Sequence, residues 1–96
     1  MTYRVILEST AKAETIDSLF PFLDENLPNV RSFKGCLNVT ILFDKDTNQM
    51  VFDEEWKSKE DHQAYIAFIE SNGVLADLAD FLQGPPKISY YERLSI

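Results

Sequence analysis

Glu54, Trp56, His62 and Tyr65 bring a carboxylate, an indole, an imidazole and a phenol into one short stretch of the chain, and Trp56 and His62 are its one tryptophan and one histidine. Imidazole titrates near neutrality, so His62 is suited to take a proton from a substrate hydroxyl. It stands in the first turn of an expected helix, where the positive end of the dipole lowers its proton affinity. Glu60 and Asp61 act in the opposite sense. Tyr65 is placed to orient a substrate oxygen and Trp56 to form a pocket wall. Each has a plainer alternative: a solvated imidazole, a packed indole, a ring filling a helix–sheet seam.

Glu54 is the odd member, because alternation along Gln49–Trp56 puts Met50, Phe52, Glu54 and Trp56 on one side and Val51, Asp53 and Glu55 on the other. A buried carboxylate there needs a partner such as Arg4, Arg31, Arg93 or a tyrosine hydroxyl. Without one its proton affinity rises and it becomes a second candidate acid or base. Phe52 shares its face, and Asn38 is a polar residue in an otherwise apolar strand whose face the sequence leaves open. With Trp56 and Glu54 they form the candidate substrate-binding set, and His62 and Tyr65 the candidate catalytic pair. No metal site is expected, since Glu60, Asp61 and His62 are consecutive on a helix and diverge. Cys36, the lone cysteine, reads as a buried, inert thiol. Neither a glycine-rich phosphate loop nor a Gly-x-Ser-x-Gly elbow is present.

The elements that carry these residues follow from periodicity. Residues 2–8 alternate as a strand. Ser9 and Thr10 then offer a helix cap ahead of a stripe formed by Ile16, Leu19, Phe20, Leu23 and Leu27. Pro21 predicts a kink or restart in that helix, and a further turn at Pro28–Ser32 ends near Gly35. CLNVTILF (36–43) and QMVFDEEW (49–56) read as strands joined by a hairpin turn at Asp44–Asn48. Ser58 with Asp61 resembles a capping box and starts a helix running to about Glu70. Ser71-Asn72-Gly73 breaks it, a short helix follows, and Gly84-Pro85-Pro86 stops that one before a strand over Lys87–Leu94. The order β-α-β-β-α-β, with the second α split, predicts an α+β ferredoxin-like fold with a four-stranded antiparallel sheet, as one domain over residues 1–96.

Helices cover one face of such a sheet. Both alternating sets within 36–43 contain large apolar residues, Leu37, Val39, Ile41 and Phe43 against Cys36 and Leu42, so the open face is expected to be apolar and to pack against a second copy. A homodimer with a barrel-like sheet core is the expectation. Nine basic against sixteen acidic residues give a net charge of −7, which argues against nucleic acid and anionic membrane as partners. The opening MTYRVILEST carries charges and no long apolar run, so neither a signal peptide nor a membrane span is expected, and the default location is cytoplasmic.

Three motifs carry a family resemblance: Gly35-Cys36 opening the second strand, Glu54-Glu55-Trp56 closing the third, and Ser58-Lys59-Glu60-Asp61-His62 starting the next helix. With LADFLQGPPKISYYERL they make the chain similar to the antibiotic biosynthesis monooxygenase (ABM) family over nearly its whole length. The resemblance implies a dimeric α+β barrel with a pocket between sheet and helices in each subunit. It also implies cofactor-free oxidation of quinols and phenols, while relatives degrade haem or isomerise a phosphorylated sugar. By the same resemblance Trp56 matches a pocket tryptophan, and His62 falls where members carry tyrosine or histidine. Phe52 falls where some use an asparagine to hold substrate, and Tyr65 where a histidine is frequent. The haem-degrading branch needs an axial histidine after His62, and none follows.

The expected function is a cofactor-independent monooxygenase acting on a small phenolic or quinol-type molecule, with His62 as proton acceptor. A non-catalytic dimeric small-molecule-binding domain and a non-oxidative isomerase are the alternatives. A pocket without titratable groups would favour binding; converging cationic groups would favour the isomerase.

Overall fold

The long-range ladder decides where the first strand ends. In the computed structural model, which describes residues 2–96, β1 (Tyr3–Thr10) pairs antiparallel with β3 (Gln49–Trp56) out to Thr10↔Gln49. Ser9 and Thr10 are therefore strand residues and not helix caps, and neither the turn nor the helix that follows starts on a side-chain cap. Ala11 bridges to Leu82, a single 3-10 turn spans Ala13–Thr15, and α1 runs Ile16–Arg31. The Thr15 hydroxyl donates to the carbonyl of Lys12 at 2.8 Å, and so ties that turn together.

Pro21 and Pro28 lie inside a single α1, which neither stops nor restarts at Pro21. They are seven residues apart, both exposed, so both missing N–H groups fall on the solvent face. The carbonyls they leave free belong to exposed Asp17 and Asp24, where water can satisfy them.

β2 (Cys36–Phe43) and β3 form the expected hairpin. Asp44 Oδ1 accepts from the Asp46 amide at 2.9 Å and Asn48 takes φ 62°, both characteristic of a tight polar turn. α2 (Lys59–Ser71) starts at Ser58, whose hydroxyl accepts from the Asp61 amide at 3.1 Å, confirming that cap. Gly73 in the left-handed region separates α2 from α3 (Val74–Asp80), and β4 (Lys87–Glu92) closes the sheet against β1. The antiparallel order β2-β3-β1-β4 is the ferredoxin-like α+β arrangement read from the sequence.

A bulge alters β2. The register shifts between Cys36 and Asn38 opposite Trp56 and Glu55, so strict alternation fails there. Cys36, Val39, Ile41 and Phe43 face the helices, while Leu37, Asn38, Thr40 and Leu42 face away. Leu37 and Leu42 are exposed on that outer face, but beside them stand the Arg4–Asp53 ion pair at 2.8 Å and Glu55. The open face is thus mixed, with Leu37 and Leu42 set among polar and charged groups, and is not the continuous apolar surface expected.

On the covered face the core divides into two clusters. One gathers Val5, Val39, Trp56, Tyr65 and Ile69; the other gathers Ala11, Leu19, Met50, Leu78 and Leu82, and Phe52 packs against both.

Gly35 holds the β2 entry against α2. It sits at φ 89°, and a Cβ there would meet the Asp61 side chain at 2.3 Å; Gly73, at φ 88°, faces open space. Gly73→Ala should therefore cost only the backbone strain, about 1 kcal/mol. Gly35→Ala adds a collision with a packed side chain and should cost at least about twice as much in urea unfolding. Equal losses would contradict the close approach.

Candidate active site

Three periodicities converge on one point between sheet and helices. Alternation on β3 aims Phe52, Glu54 and Trp56 at the helices. The spacing 62, 65, 66, 69 lines one stripe of α2 and turns His62 and Tyr65 toward the same strand. Alternation on β4 brings Ile88 and Tyr90 to that side, paired with Leu7 and Val5.

Between the two core clusters lies a cavity of about 390 Å³, within the usual range for small-molecule sites. Aliphatic side chains such as Leu23 and Leu27 of α1, Ile66 of α2 and Leu75 of α3 make most of its wall. Its polar side chains are Asn26, Glu54, His62 and Tyr65, and among the described residues no lysine or arginine lines it. Asn26 donates its amide to the carbonyl of Phe22 at 2.9 Å, which engages it with its own helix. The reactive edge is thus Glu54, His62 and Tyr65.

Of the six candidate residues, Phe52, Glu54, His62 and Tyr65 line this cavity together. Trp56 is fully buried behind them and does not line it. Its ring meets His62 edge-on at 5.3 Å and lies 5.7 Å from Tyr65. Asn38 stands exposed on the other face of the sheet, opposite Glu55 and alternating with inward Val39, so it is not a pocket residue. Sequence reasoning did not single out Tyr90. The pair Tyr90-Tyr91 offers the same residue to both faces of β4, and only the register with β1 distinguishes them.

Glu54 is 4% exposed, and its partner is none of the arginines or tyrosines expected. The Trp56 Nε1–H donates to Glu54 Oε1 at 2.8 Å. One neutral donor compensates little of the hydration that burial removes. Burial therefore pushes the Glu54 carboxyl up to about 7, against the opposing hydrogen bond from Trp56 and with a small addition from Asp53.

His62, 1% exposed, is not a solvated helix histidine; burial pushes its pKa down to about 4. Its Nε2 lies 3.7 Å from Glu54 Oε1, too long for a hydrogen bond. The contact meets the distance criterion for an ion pair, yet burial disfavours the charged form of each partner. At neutral pH it is a neutral imidazole beside a carboxyl divided between its two forms. Tyr65 is pushed up to about 12, first by burial and then by Glu54 and Cys36, so it stays a phenol that can donate. His62 Nδ1 is 2.8 Å from the Tyr90 hydroxyl.

The two shifts act oppositely on stability. Glu54, raised in the folded state, withholds stability progressively as pH climbs from its ordinary 4.5 to about 7. His62, lowered in the folded state, withholds it as pH falls from 6.5 to about 4. Each is of order 3 kcal/mol at its full extent. Glu54→Gln removes only the first. The variant's unfolding free energy relative to wild type should thus rise by about 3 kcal/mol between mildly acidic and mildly alkaline pH, read by urea unfolding. A pH-independent offset would contradict the burial of an ionisable carboxyl.

Comparison with known proteins bears on the same region. A conserved protein from Methanosarcina mazei superposes with TM-score 0.85 at 16% identity, covering 98% of this chain and 94% of its own. A protein from Mycobacterium tuberculosis gives 0.83 at 17%, covering 100% and 98%. A monooxygenase from Streptomyces coelicolor, in complex with the ligand nanaomycin D, gives 0.77 at 20%, covering 98% and 89%. At these identities the likeness concerns the fold. No curated protein matches the sequence significantly. The family described as "Antibiotic biosynthesis monooxygenase" matches residues 2–67, which include β1, both strands of the hairpin and the α2 turns that carry His62 and Tyr65. This chain belongs to that family.

Proposed function

We propose that the protein is a cofactor-independent monooxygenase acting on a small phenolic or quinol-type molecule held in the cavity. One observation carries the reading: a carboxyl buried in a largely apolar chamber, and pushed up to about 7 by that burial, stands beside a buried imidazole. Such oxidation needs the substrate hydroxyl deprotonated, so that its ring can pass electrons to O₂. A general base is most effective when its proton affinity lies near working pH, and Glu54 meets that condition better than His62. The role first given to His62 therefore passes to Glu54. His62 offers an N–H, Tyr65 a phenolic donor, and Phe52 and the aliphatic wall exclude water. For a phenol with an unsubstituted ring position the balance is phenol plus O₂ giving quinone plus water, the hydroxyl proton moving first to Glu54.

Two features support this reading over the alternatives. A bare binding chamber would have no need of a titratable edge. A phosphorylated isomerase substrate would call for cationic groups, and the described lining offers none. A monooxygenase of like fold from Streptomyces coelicolor, solved in complex with a small ligand, supports a small molecule as the ligand class.

Oxygen uptake with a panel of one-, two- and three-ring phenols and hydroquinones tests the proposal. Glu54→Gln should lower the rate by about 10²-fold or more. No uptake with any member, or a variant as fast as wild type, would overturn it.

The homodimer is part of the same proposal. Leu37, Leu42 and Tyr91 stand exposed on the open sheet face, and a second copy packed there by two-fold symmetry would cover them. Light scattering at micromolar concentration should give twice the monomer mass, and Leu42→Asp should halve it. A wild-type monomer would contradict this part.

A further inference from the structure

We infer that Tyr90 is a positioning residue: it holds His62 in the Nε2–H tautomer, and so commits proton exchange at Glu54 to the Oε2 atom. The inference rests on the reading of Glu54 as proton acceptor and adds how that acceptor is set.

The direction of each hydrogen bond follows from one fixed end. An indole N–H only donates, so Glu54 Oε1, at 2.8 Å from Trp56 Nε1, is an acceptor in both ionisation states. When Glu54 is neutral this bond favours its proton on Oε2, because a carbonyl oxygen accepts better than a hydroxyl oxygen. The His62 Nε2 faces the same Oε1 at 3.7 Å. A lone pair on Nε2 would oppose the lone pairs of that oxygen, whereas an N–H is attracted to it. Nε2 therefore carries the hydrogen and Nδ1 the lone pair. The Tyr90 hydroxyl, 2.8 Å from Nδ1, must then be the donor. Burial raises the Tyr90 proton affinity, with the Gln63 side chain acting in the opposite sense. The polarity runs one way, from the Tyr90 hydroxyl through His62 toward Glu54, where the Trp56 N–H is the group within hydrogen-bond distance of Oε1.

The consequence is a division of labour. His62 is a fixed donor, and only Oε2 of Glu54 is left to trade protons with a hydroxyl in the cavity. The other ionisable groups around Glu54 are Asp53 on its own strand, Cys36 on β2, Tyr65 on α2 and Tyr90 on β4. Arg31 of α1 acts on Cys36, and the Lys59 ammonium lies 5.8 Å from the Tyr90 ring. None of these competes for His62 Nδ1.

His62 is the only histidine, so long-range ¹H–¹⁵N NMR reads its tautomer without ambiguity. Wild type should show a protonated Nε2 and a lone-pair Nδ1 from mildly acidic to alkaline pH. Tyr90→Phe keeps the ring and removes the donor. It should give a mixture of tautomers and raise the Glu54 midpoint, followed by carboxyl ¹³C shift, by about half a unit or more. A protonated Nδ1 in wild type would overturn the inference, and needs no variant to fold. So would a folded Tyr90→Phe with an unchanged Glu54 midpoint, which a merely structural tyrosine would leave in place. Neither readout involves turnover. A protein with this tautomer and no oxygen uptake would refute the oxidation reading while leaving the role of Tyr90 intact.

Discussion

The hydrogen bond from the Trp56 indole to Glu54 holds the reactive edge together. Moving a carboxylate out of water costs several kcal/mol unless ion pairs or multiple donors replace its hydration. Here the replacement is one neutral N–H at 2.8 Å. That is enough to orient the group and too little to keep it charged. The pKa near 7 is the result of this partial compensation. An arginine in Trp56's place would have made Glu54 a permanently ionised structural residue. An apolar side chain there would have left its oxygens unoriented.

The fold supplies the burial that this balance requires. A ferredoxin-like sheet is covered by helices on one side only, and here the covered side does not fill. Its apolar side chains collect in two clusters with the cavity between them. Phe52 touches both clusters and so braces the cavity wall. The β2 bulge contributes by keeping Cys36 and Val39 both inward across from Trp56 and Glu54, which closes the chamber beneath the reactive edge. It also turns Leu37 outward onto the open face.

The sequence made most of this architecture legible, for identifiable reasons. β2 and β3 are bounded by a polar turn and by a capping serine, both local signals, and their limits read directly from 36–43 and 49–56. Ser71-Asn72-Gly73 marks the split between the two later helices because the chain reverses there at a left-handed glycine. The end of β1 was not legible, since Ser9 and Thr10 satisfy a capping pattern that a distant strand outcompetes. Pro21 signalled a kink or restart, and the helix runs through it without restarting because the missing N–H faces solvent. At the site, alternation placed Glu54 correctly but could not name Trp56 as its partner, because an indole two residues along the same strand face is not an expected counter-group. The state of His62 depends on burial by β3 and β4, which its own helix does not encode. Tyr90 becomes identifiable only once β4 is set in register with β1.

The central claim is that a single carboxyl in this chamber exchanges its proton near neutrality. Infrared difference spectroscopy across pH measures it most directly, through the C=O stretch of a protonated carboxyl in dry surroundings. The account predicts a band that disappears with a midpoint of about 7 and is missing from Glu54→Gln. A wild-type spectrum whose carboxyl bands all vanish in the ordinary acidic range would contradict it.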